Sequence, residues 1–400
     1  MVEVDAASFL VIVIAASAAG LTAALLEPRL AVPVVVLELL LGIVIGPDLL
    51  DVAQPDDFTD FFASLGLGML FFFAGYEIDF RRIEGRPLRL ALAGWLLSLA
   101  LAYGIGGLLA AAGIVLSLLY TGSALATTAI GTLIPILRDA GELRTRFGSL
   151  LLAAGAVGEF GPILLITLAL SAGHPLEEAA LLVAFVGIAV LVAVIAVRSA
   201  FVGWPLFERT LEASSQLAVR LSVLLIFGLV ALAYELGLDL LLGGFVAGLI
   251  TRMALRGREV ELFEAKLTAI GYGFFIPFFF IVSGIEFDLD ALLSSAETLY
   301  ELPLFLALFL VVRGVPALAL YRGVLADRRD RLALAFYSAT ELPLVVAITT
   351  LAVDADHMRS STAASLVGAA MISTLVFPLV AMGLRRGRAG VEPKPQPQLT

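Results

Sequence analysis

Residues 71–80 read FFFAGYEIDF, and residues 279–289 read FFIVSGIEFDL. Gly75, Glu77 and Asp79 recur as Gly284, Glu286 and Asp288, at an offset of 209. Two further echoes keep the same order. Gly42 and Gly46 recur as Gly244 and Gly248 at an offset of 202, and Thr132 and Pro135 recur as Thr340 and Pro343 at 208. Three matches in one order, with nearly one offset, point to an internal duplication.

The surrounding chain is built for lipid. Of its 400 residues, 60% are hydrophobic and only 15% charged, where a soluble domain is near half apolar and a quarter charged. Several apolar runs exceed the length a spanning helix needs. Candidate spans cover about 7–26, 31–49, 60–78, 89–113, 116–137, 146–171, 177–201, 217–235, 239–255, 271–286, 299–321, 330–353 and 362–384. The acidic N-terminus, MVEVDAAS, lacks the positive region of a cleaved signal, so the first run reads as a retained helix. The tail 389–400 is Pro-rich and reads as disordered, leaving 1–388 as one membrane domain.

The basic residues test the count. With the N-terminus outside and thirteen alternating spans, 23 of 25 Lys and Arg fall in inside loops. Arg359 falls outside and Arg313 inside a span, while outer loops such as DVAQPDDFTD are acidic. A miscounted helix would scramble this segregation. The expected orientation is N-out and C-in, in a cell membrane. The echoes then pair the second span with the ninth, the third with the tenth and the fifth with the twelfth. Seven helices separate each pair, so the copies face opposite ways. Spans 1–6 (7–171) and 8–13 (217–384) form an inverted repeat around a linking helix at 177–201, an arrangement typical of secondary transporters.

Such transporters use interrupted helices whose ends present dipoles and free carbonyls to an ion. The fifth span, YTGSALATTAIGTLIPILRD, carries Thr127, Thr128, Gly131 and Pro135; the twelfth, FYSATELPLVVA, carries Thr340, Glu341 and Pro343. Proline removes a backbone hydrogen bond and glycine permits an unwound path. Gly131, Pro135, Thr340 and Pro343 are therefore the expected helix breakers, and the Thr127 and Thr128 hydroxyls are hard oxygen ligands suited to an alkali cation. A kinked helix packed through small residues is the bland alternative.

Among the ionisable residues within spans, four stand out away from the span ends: Glu38, Glu159, Arg313 and Glu341. Charges at such depth are costly and usually functional. Glu159, in GAVGEFGPILLI (155–166), is the only charged residue between Arg146 and His174. A carboxyl there can hold a proton or a monovalent cation but not both, which is the minimal chemistry of antiport. Pro162 leaves the Gly158 carbonyl without its helical donor. Glu341 is expected to offset the positive ends of half-helices, and Arg313 the negative ends. A Glu159–Arg313 ion pair that merely ties two helices is the structural alternative; Glu38 reads as a packing or pairing residue.

Taken together, ELLLGIVIGP (38–47), LGLGMLFFFAGYEID (65–79), TTAIGTLIPILRDAGEL (127–143), LGGFVAG (242–248), IPFFFIVSGIEFDLDAL (276–292) and ATELPLVVA (339–347) resemble the cation:proton antiporters, in the branch of bacterial and archaeal sodium/proton exchangers and potassium-efflux antiporters. The resemblance covers nearly the whole chain. It implies a homodimer with a dimerisation domain and a core domain, an elevator-like motion of the core, and a crossing of the interrupted fifth and twelfth helices. It places the ion-binding carboxylate on Glu159, where family members usually carry aspartate. Gly158 stands where they carry Asp, Asn or Gln, the basic residue falls on Arg313, and Thr340-Glu341 takes the place of a Gly-Glu motif.

The expected function is exchange of Na+ or K+ for H+. One carboxylate carries one proton or one cation, and an arginine does not deprotonate, so 1:1 electroneutral exchange is expected. No cofactor is implied, and nucleic acid is not an expected partner. A channel-like potassium efflux path, a non-transporting sensor on the same fold, and an organic-anion symporter are the competing readings. The last would want more than one buried basic group. With no cysteine and only His174 and His357, neither a thiolate metal site nor enzymatic chemistry is expected.

Overall fold

The computed structural model describes residues 5–26, 32–77, 83–170, 175–198, 216–236, 240–254, 260–293 and 296–386. The Pro-rich tail, Asp79, His174 and several inside-loop basic residues (among them Arg29, Arg81, Arg209, Arg256 and Arg388) lie outside the described residues. No strand occurs among the described residues. Among the described residues, eight helices are long and apolar enough to cross a membrane, and five shorter apolar helices accompany them. Each expected span falls on one of these segments.

The chain forms two compact units, each drawn from both halves of the sequence: Met1–Asp79 with Ile163–Phe287, and Phe80–Pro162 with Asp288–Thr400. The boundaries expected for the repeats, near 171 and 217, both fall within the first unit.

The first unit holds α1 (Ala6–Leu26), α2 (Val34–Ile45), α3 (Asp57–Tyr76), the end of α7 (Arg146–Leu170), α8 (Pro175–Arg198), α9 (Leu217–Glu235) and α10 (Leu240–Ala254). It closes with α11 (Val260–Ile270), which passes through a π-turn at Gly271–Phe275 into α12 (Ile276–Ile285). The expected tenth span began at 271; the helix instead starts at Val260, because Glu264 and Lys266 sit on a helical end with polar partners rather than in a loop. Tyr76 donates to Glu264 at 2.9 Å, and Arg252 pairs with the same carboxylate at 3.4 Å. An Asp56 cap with reciprocal Thr59 bonds opens α3.

Two helix crossings in this unit depend on glycine. A Cβ on Gly284 would stand 2.8 Å from the Gly42 Cα, so α12 and α2 touch backbone to backbone. A Cβ on Gly248 would stand 2.6 Å from the Tyr76 amide, which joins α10 to α3 in the same way. Without a hydrophobic drive between helices in lipid, such close approach supplies the packing attraction.

The second unit holds α4 (Arg86–Ala111), α5 (Leu118–Leu125), α6 (Ile130–Asp139), α7 as far as Pro162, α13 (Leu289–Leu293), α14 (Ala296–Leu320), α15 (Arg328–Ser338), α16 (Pro343–Asp354) and α17 (Ser360–Arg385). Helix α14 packs on α4, α5, α15 and α17. The fifth and twelfth spans are each interrupted, at 126–129 and 339–342. Thr340 lies in the second gap and Pro343 starts α16, where its fixed φ suits a first helical turn. Gly131 and Pro135 sit inside α6 instead, downstream of the break. Pro135, the sixth residue of α6, lies beyond the first turn where proline is tolerated, so it removes one bond within α6 without placing the break there.

Candidate functional site

The two gaps meet. The Ala129 amide donates to the Thr340 carbonyl at 2.8 Å, and the Thr128 hydroxyl donates to the Ser338 carbonyl at 2.5 Å. Each strand of broken helix thus satisfies polar groups that the other leaves open, as backbone in a membrane must. The second gap is also held from α17: Thr374 donates to the Glu341 carbonyl at 3.0 Å, the single Ser373 proton goes to that carbonyl at 3.0 Å or to the Ala370 carbonyl at 2.8 Å, and the Glu341 amide donates to Ser373 Oγ at 3.0 Å. The first gap is held from α4 by Trp95, whose Nε1 donates to the Ala126 carbonyl at 3.2 Å.

Helix α7 runs beside this crossing. Pro162 frees the Gly158 carbonyl, as expected, and the Thr128 amide takes it at 3.2 Å. Glu159 follows, buried to 4% exposure. The Ile130 amide, at the N-terminus of α6, faces its carboxyl. Its Oε2 is buried with no hydrogen-bond partner.

Arg313 projects from α14 at 4% exposure. Nε and Nη2 donate to Thr128 Oγ1 at 2.9 and 2.7 Å, Nη1 to Ser98 Oγ at 3.2 Å, and Nη2 to the Ala154 carbonyl at 3.2 Å. Nε also lies 3.4 Å from the carbonyl of Ser338, the last residue of α15, so the cation does stand at a negative helix end. No ion pair joins Arg313 to Glu159 among the described residues. The charge of Arg313 acts on Glu341 instead.

Glu341 is fully buried two residues before α16 begins. Oε2 accepts from Thr127 Oγ1 at 3.0 Å, and Oε1 has no partner. Thr127, Thr128, Glu159, Arg313 and Glu341 are therefore brought together at one crossing, while Glu38 belongs to the other unit. Sequence reasoning missed Trp95, Ser98, Ser373 and Thr374. A weak signal existed for Trp95, one of only two tryptophans; small hydroxyl residues in apolar helices carry none.

Chemically, the crossing offers two buried acid oxygens without donors, Glu159 Oε2 and Glu341 Oε1, beside an arginine bonded through all three of its nitrogens. A family model described as "Sodium/hydrogen exchanger, transmembrane" matches residues 9–382. The chain belongs to the sodium/hydrogen exchanger family. A putative Na(+)/H(+) antiporter, YjbQ, from Bacillus subtilis is 26% identical over 95% of the chain, which spans 63% of that relative's length. Probable Na(+)/H(+) antiporter 3 from Methanocaldococcus jannaschii is 30% identical over 67% of this exchanger-family chain and 69% of its own. Among solved structures, the sodium proton antiporter MjNhaP1 of the same archaeon superposes with a TM-score of 0.63 at 17% identity, covering 94% of the chain and 98% of its own. That likeness shows the exchanger fold.

Proposed function

We propose that the chain exchanges a monovalent cation, Na+ or K+, for a proton across a cell membrane by alternating access, with Glu159 as the exchanging carboxylate. The observation that carries this reading is the Glu159 carboxyl itself: buried, with Oε2 unpartnered, beside the crossing of two interrupted helices. A buried acid oxygen without a donor is costly unless it binds something. A proton or a desolvated alkali cation each satisfies it, and they exclude each other. Thr127 adds an oxygen with lone pairs to spare, because its single proton goes to Glu341 or to the Ala124 carbonyl.

Electroneutral 1:1 exchange goes with this reading. The site holds two acids and one arginine; Arg313 and Glu341 offset each other, which leaves one titrating group. The inverted repeat is part of the proposal. It is supported by the crossings of the first unit, where Gly75 packs on Phe245 as its sequence mate Gly284 packs on Ile43, at the offsets of 209 and 202. Crossing by all thirteen spans, a homodimeric assembly and an outside N-terminus belong to the same reading.

The test is pH-gradient dequenching in proteoliposomes given Na+, K+ or Li+. Wild type should dissipate the gradient on cation addition, and Glu159→Gln should not. Undiminished exchange in Glu159→Gln removes the residue from the mechanism. Cation flux without proton movement in wild type would establish the channel reading, and a current that scales with membrane potential would overturn the stoichiometry.

A further inference from the structure

Thr128 has no oxygen to give. A hydroxyl offers one proton and two lone pairs. Here both lone pairs receive Arg313, through Nε at 2.9 Å and Nη2 at 2.7 Å, and the proton goes to the carbonyl of Ser338 or Thr127. Thr127, its neighbour, keeps lone pairs open. Two adjacent threonines at the same break are thus sorted into one available ligand and one that is consumed.

Gly158 does the sorting. A Cβ at this position would overlap Arg313 Nη2, and it would stand 2.8 Å from Thr128 Oγ1 and 3.0 Å from Thr128 Cβ. Nη2 reaches this spot while bonding the Ala154 carbonyl, one helical turn earlier on α7. The guanidinium therefore occupies the volume that any side chain at 158 would fill. Gly158 has ordinary helical backbone, with no positive φ, so its conformation does not demand glycine. The space does.

We propose that Gly158 is a specificity-determining residue of the ion site: its bare Cα admits the Arg313 guanidinium to Thr128 and so withholds that hydroxyl from the cation. The side-chain ligands that remain are the Glu159 carboxylate and the Thr127 hydroxyl. This rests on the antiport reading above and deepens it. A fixed positive charge and one fewer oxygen hold cation affinity down, and they keep the carboxylate available to the competing proton.

Kinetics in proteoliposomes test this in variants. Gly158→Ala must push the guanidinium off and free the Thr128 lone pairs. Arg313→Lys removes Nη2 and frees at least one of them without touching Gly158. Both should lower the KM for Na+ by roughly threefold or more, whatever happens to kcat. Adding Thr128→Val to either should return KM to the wild-type value, a coupling that a double-mutant cycle reads directly. A fall in kcat with unchanged KM and cation preference in both single variants would overturn the proposal, since that is what a packing role produces. A KM gain that survives Thr128→Val overturns it equally. If Gly158→Ala does not fold, Arg313→Lys with and without Thr128→Val decides. If wild type shows no coupled exchange, the antiport reading falls on its own, and Na+-dependent thermal stabilisation of the purified protein then measures cation affinity in the same variants.

Discussion

At Gly161 a methyl group would overlap the six-membered ring of Trp95. That ring cannot swing away freely, because its Nε1 holds the Ala126 carbonyl in the first gap at 3.2 Å. Gly161→Ala should therefore destabilise the protein by about 1–3 kcal/mol, the usual range for overpacking. Trp95→Phe, which keeps most of the ring but loses the donor, should cost about 1 kcal/mol. Unfolding of the purified protein in detergent measures both; wild-type stability in the two variants would show that Trp95 does not support the gap. Glu159 was legible from the sequence because a charge in an apolar run declares itself. The Arg313–Thr128 and Arg313–Ser98 contacts were not, since they join residues 185 and 215 positions apart. Burial of a charge can be read along the chain, whereas the identity of its partners depends on which helices become neighbours.

The interrupted elements show a different limit. Their existence was legible, because Thr132 and Pro135 in the fifth span recur as Thr340 and Pro343 in the twelfth. The location of the first break was not. Pro135 lies well inside α6, and the unwound residues are Ala126, Thr127, Thr128 and Ala129, none of which breaks helices by itself. The break is stabilised by tertiary bonds: Ala129 to Thr340, Thr128 to Gly158, and Trp95 to Ala126. The second gap relies on α17 in the same manner. Ser373→Ala leaves the Glu341 amide without its acceptor and removes one of two side-chain donors to the Glu341 carbonyl. A buried amide left unpaired costs about 1–3 kcal/mol, so the variant should unfold earlier in detergent. Exchange should also weaken, because the same residue carries the carboxylate that offsets Arg313. Ser373→Thr, which retains a hydroxyl, should recover part of both losses. Equal behaviour of the Ala and Thr variants would place the effect in packing rather than in the bond.

At the largest scale, contacts within each unit can be set beside the sidedness expected from the arginines. In the second unit Arg385, at the end of α17, binds Glu142 through two bonds at 2.7 and 2.8 Å and Asp330 at 3.0 Å, and its guanidinium lies 4.0 Å from the Phe147 ring centroid. All three charged residues come from segments assigned to the inside. Arg359, the one basic residue assigned outside, donates to the Gly113 carbonyl at 3.1 Å, in another outside loop. In the first unit the Asp5 amide bonds Asp56, both in segments expected outside, and Arg252 pairs with Glu264, both in segments expected inside. Losing one partner of a buried ion pair costs about 3–5 kcal/mol. Glu142→Gln should accordingly be far less stable than wild type, and a wild-type melting temperature would show that the pair adds nothing. The orientation has its own test, made simple by a chain without cysteine. Gln54, Arg328 and His357 are exposed. Gln54→Cys and His357→Cys, assigned outside, should react with a membrane-impermeant maleimide on intact cells, while Arg328→Cys should react only after permeabilisation. The reverse pattern would invert the topology, and labelling of Gln54→Cys and His357→Cys from opposite sides would break the alternation on which the inverted repeat depends.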